Sequence, residues 1–232
     1  MDTSTPHGRS SGSLLIRGIA RSLTAFLILG GLFFGSAGSF RYYNGWIYIG
    51  TLGVLLGTGL TILYRKDPEL FKRRMKTAER EISQKMFIVF SLIIVLTLFS
   101  LPGIDYRFGW SRVPMWLVCI SEGVLITSYV LYLAVMRQNS YASRVVEIQE
   151  EQKLIDTGLY GVVRHPMYLA ITILYLASPL VLGSFWAVIP AAIFPIALGF
   201  RIVNEEKVLI SGLPGYGEYM KKVKYRLIPL IW

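Results

Sequence analysis

Long apolar stretches separated by short polar segments run along most of the chain. The stretches cover residues 22–40, 45–64, 86–104, 114–136 and 166–203. A helix needs about 20 apolar residues to cross a bilayer core of about 30 Å. Each of the first four stretches therefore predicts one transmembrane helix, and the fifth is too long for a single crossing.

The fifth stretch is interrupted by "LGSFW" at residues 182–186, where Gly183 and Ser184 can form a tight turn. We interpret it as a hairpin of two antiparallel helices. The pattern as a whole predicts an all-α integral membrane protein with about six transmembrane helices, the last two forming the hairpin. It also predicts a flexible N-terminal tail (residues 1–21), a four-helix membrane region (22–136) and a C-terminal region (137–232).

The composition agrees with a membrane protein. Of the 232 residues, 53% are hydrophobic and only 16% are charged, whereas soluble domains have about 25% charged residues. The formal net charge is +10. Most of these charges lie between apolar stretches, so membrane topology and an anionic lipid surface explain them better than nucleic acid, which we do not expect as a partner. With one cysteine (Cys119) and two histidines (His7 and His165), we expect no internal disulfide and no metal site.

The distribution of Lys and Arg predicts the orientation. If the N-terminus is inside, only Arg41, Arg107 and Arg112 of the 24 basic residues lie in outer loops, which leaves 21 inside. Cytoplasmic segments carry the excess of Lys and Arg. Both termini are therefore expected in the cytoplasm of a multi-pass protein, in a prokaryotic inner membrane or, in a eukaryote, in the endoplasmic reticulum.

Antiparallel packing of the hairpin should bring together two distant polar motifs. The fifth helix begins in "RHP" (164–166), and the sixth is expected to end near Asn204, within "RIVNEE" (201–206). Within the second motif, Arg201 and Glu205 are four positions apart and share one helix face. We therefore expect a polar cluster where the two ends meet, at the cytoplasmic face.

This cluster has the residue types that hold a polar, zwitterionic cofactor. Carboxylates accept hydrogen bonds from ribose hydroxyls or an amine, Arg binds a carboxylate with two N–H groups, and aromatic rings attract a sulfonium. Pro166 in a first helical turn leaves neighbouring N–H groups free for an anion. Each residue also has a structural explanation: Arg164 as a charge at the membrane surface, for example, and Tyr160 and Tyr168 as interfacial aromatics. It is their convergence on one place that predicts a site.

Glu122 lies within the predicted fourth transmembrane helix. Acidic residues at such depth are commonly functional, and Glu122 is a candidate substrate-binding residue. The alternative is a structural hydrogen bond to a Tyr or Ser hydroxyl on another helix. The sequence favours neither.

Residues 140–232 resemble the isoprenylcysteine carboxyl methyltransferase family, which belongs with the membrane phospholipid N-methyltransferases. The resemblance rests on three motifs: "TGLYGVVRHPMY" (157–168), "RIVNEEKVL" (201–209) and "GYGEYMKKVKYRLIP" (215–229). The chain departs from the family at "LPGY" (213–216), where many members have Phe-Gly-x-x-Tyr. The first 110 residues are similar only in being hydrophobic spans.

The resemblance implies methyl transfer from S-adenosylmethionine at the cytosolic membrane surface, with residues 137–232 as the catalytic region. Glu205 and Arg201 would be the catalytic residues, and Arg201 would face a carboxylate of the substrate. The residues implied to bind the cofactor are Glu147, Gln152, Lys153, Leu154, Ile155, Tyr160, His165, Pro166, Met167, Tyr168 and Glu205.

The expected acceptor is a carboxylate of a lipid-like or prenylcysteine-like molecule, and membrane lipids are the expected surroundings. Two alternatives remain within the class, N-methylation of a phospholipid head group and S-methylation of a small thiol. Either would require a group to take up a proton, for which Glu205 and Glu206 are the candidates. Membrane sterol reductases that use NADPH are a competing enzyme class, although the chain has no obvious dinucleotide fingerprint. A structural or transport protein is the non-enzyme alternative, and the oligomeric state is left open.

Overall fold

The computed structural model describes residues 7–66, 70–71, 82–139, 141, 148 and 152–232. These residues contain seven α-helices with both ends defined, a 3₁₀ helix at Gly158–Gly161 and no strand, so the predicted all-α class is confirmed. The α-helices are α1 (His7–Ala37), α2 (Tyr43–Lys66), α3 (Ile82–Phe108), α4 (Met115–Gln138), α5 (Pro166–Val181), α6 (Val188–Gly212) and α7 (Tyr216–Lys222).

Five of these helices contain segments that are long and apolar enough to cross a membrane. The segments are Leu15–Ala37, Tyr43–Lys66, Phe87–Phe108, Met115–Gln138 and Val188–Gly212. The remaining apolar helix, α5, has only 16 residues. Large apolar side chains on the outer surface, such as Leu27, Val54 and Phe200, are at least 70% exposed, as is suitable for contact with lipid.

The predicted hairpin is present. α5 packs against α6, and the turn between them contains Gly183 in the left-handed region at φ +79°, which a glycine adopts without steric cost. α5 begins at Pro166, which occupies its first turn, where the missing N–H is not needed.

Two helix ends differ from the sequence prediction. α1 begins at His7 rather than near residue 22. α6 continues to Gly212 rather than ending near Asn204, because the Glu, Lys, Val and Leu residues that follow have no helix-breaking character; the Pro-Gly pair at 214–215 comes only after the helix has ended. Glu205 and Glu206 therefore lie inside α6, and the helix sets the direction in which each side chain leaves the backbone.

The helices pack around an aromatic core. α1 packs against α2 and α3, α3 against α6, and α4 against α5. In the core the ring of Phe33 contacts those of Tyr48 and Phe99 edge-on, with centroids 5.6 and 5.9 Å away. α1 and α3 approach closely at Gly103, where a Cβ atom would lie 1.9 Å from Ser36 Oγ. A side chain at this position would separate the two helices.

One end of the bundle, which we call the turn end, comprises residues 38–44, 109–114 and 182–187. Asp105, in the last turn of α3, lies among these loops and is fully buried. Asp105 accepts hydrogen bonds from the backbone N–H of Ser111 (2.7 Å), from the Ser111 hydroxyl (2.5 Å) and from the Ser184 hydroxyl (2.5 Å). At the same end Asn44 Nδ2 donates to the carbonyl oxygen of Val181 at 2.8 Å. These bonds fix the loops relative to one another.

Candidate functional site

A cleft of about 110 Å³ lies at the opposite end of the bundle, which we call the cleft end. Its walls come from the end of α4, the segment 152–160, the start of α5, the end of α6, and α7. The residues that line it are Asn139, Tyr141, Gln152, Lys153, Leu154, Ile155, Tyr160, Arg164, His165, Met167, Tyr168, Glu205, Val208, Leu209, Leu213, Tyr216 and Tyr219.

Glu206 is the centre of an ionic network beside the cleft, and only 2% of it is exposed. Arg164 Nε donates to one of its carboxylate oxygens at 2.7 Å and Arg226 Nε to the other at 2.8 Å. His165 Nε2 lies 3.3 Å from the first oxygen. A buried charge is stable only when it is paired in this way, so Glu206 and its cations depend on one another.

Arg164 also fastens the C-terminal segment to the start of α5. Its Nη1 donates to the carbonyl oxygen of Val223 at 2.8 Å. The backbone N–H groups of Arg164 and His165 donate to the carbonyl oxygens of Tyr225 and Arg226, both at 2.9 Å. The "RHP" motif therefore closes one wall of the cleft by binding a chain segment about 60 residues further on.

A second polar chain joins α5 to α6. The Tyr168 hydroxyl donates to Glu205 Oε2 at 2.6 Å, and Arg201 Nε donates to the Tyr168 hydroxyl at 2.9 Å. The Arg201 guanidinium also lies over the Phe87 ring, 5.1 Å from its centroid. The His165 ring stacks on that of Tyr168 with centroids 5.6 Å apart. Tyr168 thus connects the two residues predicted to be catalytic.

The wall opposite α5 and α6 is held by hydrogen bonds of Tyr160. Its carbonyl oxygen accepts from the Tyr219 hydroxyl at 2.7 Å, and its own hydroxyl accepts from Asn139 Nδ2 at 2.9 Å. Burial, followed by the neighbouring Tyr160, raises the pKa of Tyr219. Its hydroxyl therefore remains a donor at neutral pH, and α7 stays attached to the 3₁₀ helix.

Most residues predicted to bind a cofactor come together here. The nine that line the cleft are Gln152, Lys153, Leu154, Ile155, Tyr160, His165, Met167, Tyr168 and Glu205. Pro166 is not among the lining residues, although it begins α5 beside them, and Glu147 lies outside the described residues. Arg201 is not a lining residue either, and it reaches the cleft through the Tyr168 hydroxyl.

Glu122 is not brought to the cleft. On α4 it precedes Asn139 by 17 residues, which is about 25 Å along a helix. It accepts a hydrogen bond from the Thr51 hydroxyl. This is the kind of interhelical bond expected from its structural interpretation, with Thr51 in place of Tyr or Ser.

Several lining residues were not predicted. They are Asn139, Tyr141, Val208, Leu209, Leu213, Tyr216 and Tyr219. Val208 and Leu209 follow Glu205 by three and four positions, so helical spacing alone could have identified them. Leu213, Tyr216 and Tyr219 belong to or adjoin the third sequence motif. Nothing in the sequence distinguishes Asn139 from other polar residues after an apolar stretch.

Comparisons with known proteins find two similarities. A family model described as phospholipid methyltransferase (PEMT) matches residues 116–213. The fold is similar to that of the eukaryotic intramembrane Ras methyltransferase ICMT (isoprenylcysteine carboxyl methyltransferase), with a TM-score of 0.50 and 15% sequence identity. That similarity covers 96% of this chain and 94% of the ICMT chain. No curated protein matches the sequence.

The family match covers α4, α5 and α6 and includes the cleft residues from Asn139 to Leu213. The likeness to ICMT extends over 96% of the chain and, at this identity, concerns the fold. The resemblance inferred from the sequence is thereby confirmed: residues 116–213 match a phospholipid methyltransferase family model, and the chain is an all-α integral membrane protein with an ICMT-like fold.

Proposed function

We propose that the protein transfers a methyl group from S-adenosylmethionine to a carboxylate of a lipid-like or prenylcysteine-like acceptor at the cytoplasmic membrane surface. One observation carries this proposal. Nine residues selected by their likeness to a methyltransferase family line a single cleft, and most of the remaining chain is apolar helix. The bias of Lys and Arg toward the segments at this end supports a cytoplasmic orientation of the cleft.

The residues of the cleft fit this cofactor. Leu154, Val208 and Leu209 offer apolar surface for a purine. The carboxylate of Glu205 suits ribose hydroxyls or an amine, and the tyrosine rings suit a sulfonium. The cleft also contains the buried hydroxyl of Tyr216, which has no partner among the described residues. When bound, the cofactor supplies a methyl group already activated on sulfur.

The protein therefore has to align the acceptor and exclude water. A carboxylate needs no base, and Arg201 would orient it, since a guanidinium fits a carboxylate with two N–H groups. The Tyr168 hydroxyl, which bonds both Arg201 and Glu205, would fix the residue that faces the acceptor relative to the residue that faces the cofactor. An amine or a thiol would instead lose a proton. Glu205 is the better candidate to accept it, because both oxygens of Glu206 are occupied by arginines.

The acceptor class can be tested with cofactor labelled on the methyl group. Purified protein is incubated with labelled S-adenosylmethionine and a membrane lipid extract, and the products are treated with base. A methyl ester releases the label as volatile methanol, whereas N-methyl and S-methyl groups keep it. Base-labile label supports the carboxylate acceptor. Base-stable label would favour the phospholipid or thiol alternative, and no binding of S-adenosylhomocysteine by calorimetry would contradict the proposal as a whole.

The role of Arg201 is tested by Arg201→Lys. We expect nearly unchanged binding of S-adenosylhomocysteine and methyl transfer lowered by at least tenfold, because Lys cannot bind a carboxylate with two N–H groups. If Arg201 only holds Tyr168 and Glu205 in place, cofactor affinity and melting temperature will fall together with turnover. Binding, melting and turnover are measured on one preparation, and equal losses in binding and turnover would contradict the acceptor role.

A further inference from the structure

The hydroxyl of Tyr216 is buried in the wall of the cleft. The residue is the first of α7, lines the cleft and is 3% exposed. Within the described part of the chain its hydroxyl has no hydrogen-bond partner. The other described tyrosine hydroxyls on the walls include Tyr168, bonded to Glu205, and Tyr219, bonded to the Tyr160 carbonyl oxygen. A buried polar group without a partner destabilises the folded state, so this hydroxyl calls for an explanation.

Packing explains the ring of Tyr216 but leaves the hydroxyl unexplained. The ring belongs to an apolar cluster with Leu213, Tyr219 and Val223, and its centroid lies 5.6 Å from that of Tyr219. Gly215, at φ +83°, sets the direction in which α7 begins and so aims this ring. A phenylalanine would fill the same space without burying a polar atom.

The surroundings make the hydroxyl a hydrogen-bond donor. Burial, followed by the charges of Glu206 and Glu205, raises the pKa of Tyr216, so the phenol stays protonated at neutral pH. No acceptor among the described residues meets this donor, and both oxygens of the nearby Glu206 carboxylate are already bonded, to Arg164 and Arg226.

The charges around the cleft favour an anionic acceptor. Four cationic side chains stand against two carboxylates in and beside it, a difference of two positive charges when His165 is neutral. The cations are Lys153, Arg164, Arg201 and Arg226, and the carboxylates are Glu205 and Glu206.

We infer that the Tyr216 hydroxyl donates a hydrogen bond to the amino-acid carboxylate of S-adenosylmethionine. The inference rests on the proposed function, under which the cleft receives two carboxylates, one from the cofactor and one from the acceptor. Arg201, on the α6 side and behind Tyr168, is the residue assigned to the acceptor. Tyr216 belongs to the α7 wall, where Arg164 is the neighbouring cation. We therefore assign the carboxylate of the cofactor to this wall.

The test compares two ligands that differ at the amino-acid end. S-Adenosylhomocysteine has the carboxylate, and 5′-methylthioadenosine lacks the whole amino-acid group. Calorimetry of the wild type and of Tyr216→Phe should show about tenfold weaker binding of S-adenosylhomocysteine in the variant and equal binding of 5′-methylthioadenosine. The melting temperature of ligand-free Tyr216→Phe should be unchanged or higher, because no bond within the described fold is lost.

Tyr219→Phe is the matched control. It removes the neighbouring hydroxyl, which donates to the Tyr160 carbonyl oxygen, so we expect a lower melting temperature and similar losses for both ligands. Equal losses of affinity for both ligands in Tyr216→Phe would overturn the inference. Unchanged affinity for both ligands would overturn it as well. A wild type that binds neither ligand would refute the proposed function itself, which separates the two failures.

Discussion

Each end of the bundle contains a buried carboxylate, but the two have different partners. Asp105 at the turn end is 0% exposed and accepts from a backbone N–H and two serine hydroxyls. Glu206 at the cleft end is 2% exposed and accepts from the guanidinium groups of Arg164 and Arg226. The first carboxylate is surrounded by neutral donors and the second by cations.

The choice of partner follows from what each end has to do. The donors to Asp105 are neutral groups of Ser111 and Ser184, which belong to the loops. Their hydrogen bonds join the loops to the end of α3. Around Glu206 the cations outnumber the carboxylate, and two of its partners, Arg164 and His165, also line the cleft. The same residues that stabilise the buried charge thus face the cleft. Under the proposed function, the turn end is structural and the cleft end combines structure with binding.

The largest effect is expected from Glu206→Gln. The substitution keeps the shape but leaves Arg164 and Arg226 without their counter-charge. Removing one partner of a buried ion pair costs roughly 3–5 kcal/mol. We expect a much lower melting temperature in detergent and at least tenfold weaker binding of S-adenosylhomocysteine.

Glu218→Gln is the control for this prediction. Glu218 is also a carboxylate of the cleft end, with its side chain 78% exposed and paired to Lys221 at 2.7 Å, and such surface pairs contribute little. Its substitution should change neither melting nor binding. If Glu206→Gln behaved like Glu218→Gln, the network around Glu206 would not hold the cleft together, and the contrast between the two ends would be lost.

Asp105→Asn should have a smaller and more selective effect. The new amide group has one oxygen fewer to accept from Ser111 and Ser184, and each unsatisfied buried donor costs about 1–3 kcal/mol. The melting temperature should therefore fall. Binding of S-adenosylhomocysteine, measured well below the melting temperature, should equal that of the wild type. A loss of affinity under those conditions would show that the turn end and the cleft end are coupled.

The two ends also differ in how far the sequence predicts them. Nine of the cleft residues could be named because the chain resembles a known family, and the hairpin that brings them together follows from a long apolar stretch with a turn. Asp105 has no such signal, because its partner Ser184 is 79 positions away and an acidic residue after an apolar stretch is common. Such a contact depends on the packing of α3 beside the hairpin turn, which no local pattern specifies.

Within the cleft, the sequence could not assign separate roles to the glutamate pair. Successive residues on a helix point about 100° apart, so Glu205 and Glu206 face different neighbours once α6 continues past residue 204. Glu205 meets Tyr168, and Glu206 meets the arginines. The position of Arg201 was predicted by spacing, but its bond to the Tyr168 hydroxyl required the packing of α5 on α6.

The smallest effect is expected from Glu122→Gln, in the membrane region between the two ends. Gln can still accept the hydrogen bond from Thr51, and it removes a carboxyl group whose second oxygen is buried without a partner among the described residues. The change in stability should stay within about 1 kcal/mol. At about 25 Å from Asn139 along α4, Glu122 should not affect binding of S-adenosylhomocysteine. Thr51→Val is the matched control, because it removes the same hydrogen bond by removing the Thr51 hydroxyl. If Glu122→Gln lowers methyl transfer tenfold while Thr51→Val does not, the carboxylate itself is needed, and its predicted role in substrate binding would extend the acceptor's path from the cleft into the middle of the bundle.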